Sequence, residues 1–246
     1  CPPNQTKNMD AGVCTAKVPY TGSFTDNCPG GTLSLQSGLP SNANFPKGTT
    51  TVVLKATDAV GLTKTCSFRV TVNDNQAPAI VCPANVATVT APGSCESAPL
   101  VYTPPTATDN CMPAPAVVRV NGPGIGSTAT KGVSTVVWKA TDGSGLTKTC
   151  TFTVTVVDNQ PPVVTCPADI VVGNDPGECS AVVGYPNATF TDNCVCPIPS
   201  MVLMSGMSSY SAFPIGVSTN VWKATDAFGL TATCSFKVTV ADTQPP

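Results

Sequence analysis

One stretch occurs three times in this chain, and that repetition limits what the chain can fold into more than any other feature. Val136 to Pro167 reads VVWKATDGSGLTKTCTFTVTVVDNQPPVVTCP. An earlier copy, VVLKATDAVGLTKTCSFRVTVNDNQAPAIVCP, runs from Val52 to Pro83, and a later one, NVWKATDAFGLTATCSFKVTVADTQPP, from Asn220 to Pro246. A fixed period of this size implies one structural unit per copy. Cys-Pro pairs mark the units at Cys1, Cys82 and Cys166, spaced 81 and 84 residues apart (82 − 1 and 166 − 82). The expected repeats are residues 1–77, 78–161 and 162–246.

Within each copy the last strand is legible from its alternation. Cys150, Phe152, Val154 and Val156 share one face, while Thr151, Thr153 and Thr155 share the other. Cys66, Phe68, Val70, Val72 and Cys234, Phe236, Val238, Val240 repeat the pattern. Period two means a strand with one face buried and one wet. The preceding Ala-Thr-Asp-x-x-Gly places Asp and Gly where a short hairpin turn needs them. Asp-Asn-Gln-Ala-Pro, Asp-Asn-Gln-Pro-Pro and Asp-Thr-Gln-Pro-Pro follow as short, stiff linkers, because proline cannot donate to a ladder. No segment has helical periodicity, so many short strands with regular turns predict an all-β sandwich in each unit.

Units this small have thin cores and often need covalent staples. The chain has 13 cysteines, which points to an oxidising, extracellular setting, at a cell surface or in a secreted matrix. A net charge of −2 with 11% charged residues shows no basic patch for nucleic acid. No apolar run is long enough to span a membrane. The chain stops three residues before the next Cys-Pro would fall, so a longer secreted array is expected.

Each unit keeps one order of cysteines: Cys-Pro, then a cysteine after a small-residue turn (Cys14, Cys95, Cys179), then Thr-Asp-Asn-Cys (Cys28, Cys111, Cys194), then the cysteine of the last strand. In a sandwich the first strand runs to the far end and the second returns. Cys95 then lies a full strand length from both Cys82 and Cys111, beyond disulfide reach. Within one unit this leaves Cys82–Cys111 with Cys95–Cys150. By analogy it predicts Cys1–Cys28, Cys14–Cys66, Cys166–Cys194 (or Cys196) and Cys179–Cys234. Of Cys194 and Cys196 one is left over, as a tolerated thiol or an interchain crosslink. A metal site there is disfavoured, since no histidine and no second cysteine pair complete a ligand set.

These motifs together, with Phe-Pro-x-Gly and Cys-Ser-Phe-x-Val-Thr-Val, resemble the hyalin repeat (HYR) family along essentially the whole chain. The resemblance implies three tandem immunoglobulin-like domains in an elongated array, serving as the rod or filament of an adhesive or matrix protein. Long bacterial surface arrays, including adhesins of gliding bacteria, are similar in flavour. The partners implied are neighbouring repeats of the same chain or filament and an unidentified surface or matrix ligand. A ligand-binding module, lectin-like or protein-binding, is the competing class, with its face in the variable stretch around Ser205–Ser211.

Catalysis is not expected. The chain lacks histidine, and its recurring carboxylates repeat in every unit rather than forming one site. Those carboxylates do suggest a cation. In an immunoglobulin-like sandwich the Thr-Asp-Asn-Cys loop and the last hairpin turn share the upstream end, where the preceding linker arrives. Asp74, Asn75, Asp109, Asn110 and Asp142 would meet at the first junction. Asp158, Asn159, Asp192, Asn193 and Asp226 would meet at the second. Hard oxygen donors from three segments suit Ca²⁺, and the linker is similar to the calcium linker of cadherins. The competing reading is that Asp and Asn simply cap turns. Asp26, Asn27 and Asp58 are the corresponding residues of the first copy. Two glycosylation sequons, at Asn4 and Asn187, matter only in a eukaryotic secretory route.

Overall fold

A computed structural model describes residues 1–195 and 200–246. Among these every regular element is a strand. The first copy holds β1 (Gln5–Asn8), β2 (Thr15–Lys17), β3 (Thr32–Ser37), β4 (Asn44–Pro46), β5 (Gly48–Thr57) and β6 (Thr63–Asn73). The second holds β7 (Ala79–Val81), β8 (Val86–Val89), β9 (Thr106–Thr108), β10 (Ala116–Asn121), β11 (Gly132–Thr141) and β12 (Thr147–Val157). The third holds β13 (Val163–Thr165), β14 (Ile170–Gly173), β15 (Ser180–Val183), β16 (Thr189–Thr191), β17 (Ser200–Ser205), β18 (Ser211–Pro214), β19 (Gly216–Thr225) and β20 (Thr231–Ala241).

These group into two compact units. One comprises Cys1–Ala84, Thr103–Gly122 and Thr135–Phe152, and the other comprises Asn85–Tyr102, Pro123–Ser134 and Thr153–Pro246. The middle copy contributes to both, and each repeat junction lies wholly inside one unit.

The first unit contains the sheet β1-β6-β5-β3 and the small sheets β2-β4 and β7-β9. Its core is the predicted face of the last strand, Phe68, Val70 and Val72, clustered with Ala16, Phe45 and Val52 of the other strands and with Val18 just past β2. Tyr20 packs edge-on to Phe68 at 5.0 Å between ring centres. Its hydroxyl donates to Leu39 O at 2.7 Å, so the half-buried ring keeps its polar tip satisfied. The second unit repeats the plan in β14-β20-β19-β17, β15-β18 and β13-β16. Phe236, Val238 and Val240 face Ala181, Val183 and Phe213, with Tyr185 edge-on to Phe236 at 4.9 Å. These are all-β, immunoglobulin-like sandwiches.

Two details of the fold position the junctions. The hairpin turn is capped by its aspartate, and Asp142 Oδ1 accepts from the N–H groups of Ser144 and Leu146. Asp58 and Asp226 do the same in their copies. The glycine of this turn takes φ of 93°, 85° and 83° at Gly61, Gly145 and Gly229, a region that a side chain disfavours. The second detail is a change of sheet at Cys-Pro. β13 pairs antiparallel with β16, and then β14 runs parallel to β20. β7 and β8 make the corresponding pairs with β9 and β12. A proline between the two segments suits the change, because it gives no N–H to either ladder.

The sheet change overturns the expected disulfides. Cys1–Cys66, Cys82–Cys150 and Cys166–Cys234 form inside the copies, with Cα–Cα distances of 5.8, 5.7 and 5.7 Å. Cys14–Cys111 and Cys95–Cys194 form between consecutive copies, at 5.0 and 4.9 Å. None of Cys1–Cys28, Cys14–Cys66, Cys82–Cys111, Cys95–Cys150, Cys166–Cys194 or Cys179–Cys234 is present. The opening cysteine sits at the sheet change, beside the last strand, and not at the upstream tip. The cysteine after the small-residue turn lies next to the Thr-Asp-Asn-Cys loop of the following copy. Cys28 and Cys179, expected to be bonded, are free and exposed. Cys196 lies outside the described residues.

Candidate functional site

Four short segments meet where one copy passes to the next. At the first junction they are the far turn of the first copy (Asp10–Cys14), the linker (Asp74–Gln76), the Thr-Asp-Asn-Cys loop (Asp109–Cys111) and the hairpin turn beginning at Asp142. Gln76 fastens the linker to its own copy: its Nε2 donates to Asp10 O at 3.1 Å, and its Oε1 accepts from Gly12 N at 2.8 Å. Gln160 does the same with Ala91 O and Gly93 N, at 2.8 and 2.7 Å. The next copy is fastened by Asn110, whose Nδ2 donates to Val13 O at 3.0 Å. At the second junction Asn193 donates to Ser94 O at 2.9 Å. The interdomain disulfide lies beside each of these clamps. Met9 adds an apolar contact, with its Sδ 3.3 Å from Cys111 Sγ.

The aspartates use their two oxygens differently. Oδ1 caps a turn: Cys111 N donates to Asp109 at 2.8 Å, Cys194 N to Asp192 at 2.7 Å, and Gln160 N to Asp158 at 3.2 Å. The turn-capping reading therefore accounts for one oxygen of each residue. It leaves the other. Oδ2 of Asp109, Asp142, Asp158, Asp192 and Asp226 is buried and has no hydrogen-bond partner in the protein. Asp158 is only 3% exposed and Asp142 and Asp226 only 7%. A carboxylate oxygen taken out of water without a partner is costly. Hard oxygens of this kind suit a divalent cation, and among the described residues three candidate groups come within reach of one another at the first junction alone.

Asp74 is satisfied by the protein itself. Its Oδ2 accepts from Ser144 Oγ at 2.8 Å and lies 3.4 Å from Lys47 Nζ. Burial pushes its carboxyl up, but the bonds from Ser144, Gln76 N–H and Lys47 outweigh this and hold it below the ordinary carboxylate value. Oxygens of Asp74 and Asp109 lie within 4.8 Å of each other and of Cys111 Sγ, which is bonded to Cys14 and is no ligand. Asp142 joins them indirectly, through Ser144. At the second junction Asp158 Oδ1 accepts from Asn193 Nδ2 at 3.2 Å and from Thr90 Oγ1 at 3.2 Å. Asn75 and Asn159 are exposed. Asn110 and Asn193 act through their amide nitrogens as clamps.

Three participants escaped the sequence reading. Gln76, Gln160 and Gln244 stand in all three linkers, and that recurrence was the signal. Lys47 recurs as Lys131 before the same glycine but as Ile215 in the third copy, and the place of Ser144 is taken by Val60 and Phe228 in the others. Asn4 turns out to hold Arg69 N through its Oδ1 at 2.8 Å, and Asn85 and Asp169 make the same bond in their copies without any sequon.

A family model described as HYR domain matches residues 1–72, 73–156 and 157–240. Hyalin of Strongylocentrotus purpuratus is 35% identical over 261 residues, covering 100% of this chain and 21% of that protein. Hyalin of Lytechinus variegatus is 30% identical over 249 residues, covering 98% of this chain and 46% of that one. The chain thus spans between a fifth and a half of these relatives' length. A crystal structure of mouse cadherin-23 EC22-24 aligns over 97% of this chain and 96% of that one, at 14% identity and a TM-score of 0.39, too loose to carry an argument. The disulfides and the matched family place the chain outside the cell, as a segment of tandem repeats. With the match extending through all three repeats, the chain belongs to the HYR-domain family.

Proposed function

We propose that this chain is a non-enzymatic structural segment, the rod or filament portion of an adhesive matrix or surface protein. Residues 1–77, 78–161 and 162–246 act as its repeating elements. The observation that carries this is the disulfide across each junction. A bond inside a repeat stabilises that repeat alone. A bond from Cys14 to Cys111, or from Cys95 to Cys194, instead fixes the direction in which one repeat follows another and carries tension between them. The linkers are short, proline-bearing and pinned by Gln76 and Gln160.

Calcium completes the reading. The buried, unpartnered oxygens of Asp109, Asp142, Asp158, Asp192 and Asp226 are the residues that would hold it. Bound there, the ion would neutralise clustered carboxylates and tie the loop and turn of one repeat to the linker of the previous one. Calcium titration with melting temperature as the readout, alongside small-angle scattering, tests both halves. The expectation is an elongated particle whose melting temperature falls with chelator, and a loss of that sensitivity in Asp142→Asn with Asp226→Asn. A compact particle would overturn the rod. Indifference to chelator would leave the aspartates as turn caps.

A further inference from the structure

Asn187 opens an Asn-Ala-Thr sequon in the loop between β15 and β16, and the fold itself makes no use of its amide. On either side of it Tyr185 and Ala188 belong to the core, while Asn187 and Thr189 are exposed. We propose that Asn187 carries an N-linked oligosaccharide, attached as the chain passes through a eukaryotic secretory route.

An asparagine in an ordered loop has two common local reasons to be there. It takes a left-handed φ that other side chains avoid, as Asn42 does at 65°, or its amide bonds nearby backbone. Asn187 does neither. Its φ lies outside the left-handed region, and among the described residues its side chain has no hydrogen-bond partner. Other asparagines of the third copy are all engaged. Asn193 clamps the junction, Asn174 accepts from Thr243 N at 3.0 Å and donates to Glu178 O at 2.8 Å, and Asn220 accepts from Met207 N at 2.7 Å. Nor does the repeat ask for an amide at this place. The middle copy has Pro104 there, and the first copy has no asparagine between Tyr20 and Asp26. The second sequon differs, because the bond from Arg69 N to Asn4 Oδ1 recurs at Asn85 and Asp169 and accounts for that residue without a sugar.

The exposure of Asn187 does not depend on the ends of the sequence. Pro104, in the copy that has a neighbour on both sides, is exposed as well. The disulfides fit an oxidising lumen, and the relatives from Strongylocentrotus purpuratus and Lytechinus variegatus are eukaryotic. The donor is an oligosaccharide carried on a lipid diphosphate. One N–H bond of Asn187 Nδ2 breaks, as does the bond from sugar C1 to the diphosphate. A C1–Nδ2 bond forms, and the proton leaves with the lipid diphosphate. Nothing is oxidised or reduced.

The test is secretion of the whole 246-residue chain, carrying Asn4→Asp, from cultured insect cells. Asp169 makes the corresponding bond in the third copy, so Asn4→Asp removes the other sequon and keeps its contact. The peptide containing Asn187 should carry an oligosaccharide that peptide-N-glycosidase removes, and in ¹⁸O water the enzyme should leave a labelled aspartate at that position. Thr189→Ser should keep the sugar and Thr189→Ala should lose it, although both leave Asn187 in place. Recovery of this peptide mainly unmodified from the secreted chain would overturn the proposal, as would a sugar that survives Thr189→Ala. Neither result bears on the rod or on calcium, which rest on the junctions.

Discussion

Removing one interdomain disulfide should destabilise the chain by an amount that its covalent topology sets. Cys95→Ser with Cys194→Ser takes out both sulfurs and leaves no stray thiol. The bond joins residues 99 apart in sequence. With Cys82–Cys150 intact, the shortest covalent loop it closes runs from Cys95 back to Cys82, across that bridge, and on from Cys150 to Cys194. That loop holds about 57 residues, and closing it is worth about 4 kcal/mol in the chain-entropy model. For a chain of this size about 4 kcal/mol corresponds to a fall in melting temperature of roughly 8–16 °C. Because the bond couples two repeats, calorimetry should also show the unfolding peak broaden or split. Differential scanning calorimetry at fixed calcium is the assay, with non-reducing peptide mapping of the parent chain as its control. A fall of less than about 2 °C would refute the reasoning. So would a Cys95–Cys150 peptide in the parent, which would return the staples to the interior of each repeat.

Three further outcomes follow from the junction geometry and the sheet packing. Lys47→Gln should tighten calcium binding at the first junction about tenfold by titration calorimetry, since a unit charge roughly 5 Å from a divalent ion opposes it by about 1.5 kcal/mol even at the dielectric of water. Because the folded-state pKa of Asp74 is depressed, its stabilisation is present above the ordinary carboxylate range and is lost as pH falls through the folded value. Melting curves from pH 6 to about 3 should therefore be flatter for Asp74→Asn than for the parent. Gly38→Ala should cost about 2–4 kcal/mol in urea unfolding, because Gly38 has φ of 93° and an added Cβ would lie 2.7 Å from Thr51 O and 2.9 Å from Val52 Cα.

What was legible in the sequence was local. Phe68, Val70 and Val72 alternate with Ser67, Arg69 and Thr71 because a strand has period two, and burial follows that pattern. Asp142 and Gly145 announce a turn because one caps it and the other tolerates its φ. The linker and the Thr-Asp-Asn-Cys loop do meet, Asp74 with Asp109 and Asp158 with Asn193. The pairing of cysteines was not legible, because it is a relation between copies. Treating each copy as closed forced Cys95 onto a partner in its own copy, when the loop beside it belongs to the next. Cys82 was misplaced for a different reason: nothing in Cys-Pro says that the strand changes sheets there. Lys47 shows the remaining limit, since its role depends on Asp74, 27 residues away in the same repeat, and on Ser144 of the next.

The repetition itself is explained by the junction rather than by the core. A core needs apolar residues of suitable volume, and it tolerates exchange among them. Identity at Thr-Asp-Asn-Cys, at Ala-Thr-Asp-x-x-Gly and at the linker glutamine has to come from contacts that recur with fixed chemistry. Each copy carries two unlike surfaces: a far turn with its cysteine and glutamine downstream, and a loop with its cysteine, asparagine and aspartates upstream. Unlike surfaces that match generate a series of any length, whereas a like-to-like surface would stop at a pair. Every copy must then retain both surfaces, because losing either breaks the series at that point. The stretch from Ser205 to Ser211 is under no such demand. Its bonds run to Asn220, Tyr185 and Val183 of its own copy, and Tyr210 stands 80% exposed. Its residues can therefore change without breaking the array, which makes it the natural place for one repeat to differ from the next in what it touches.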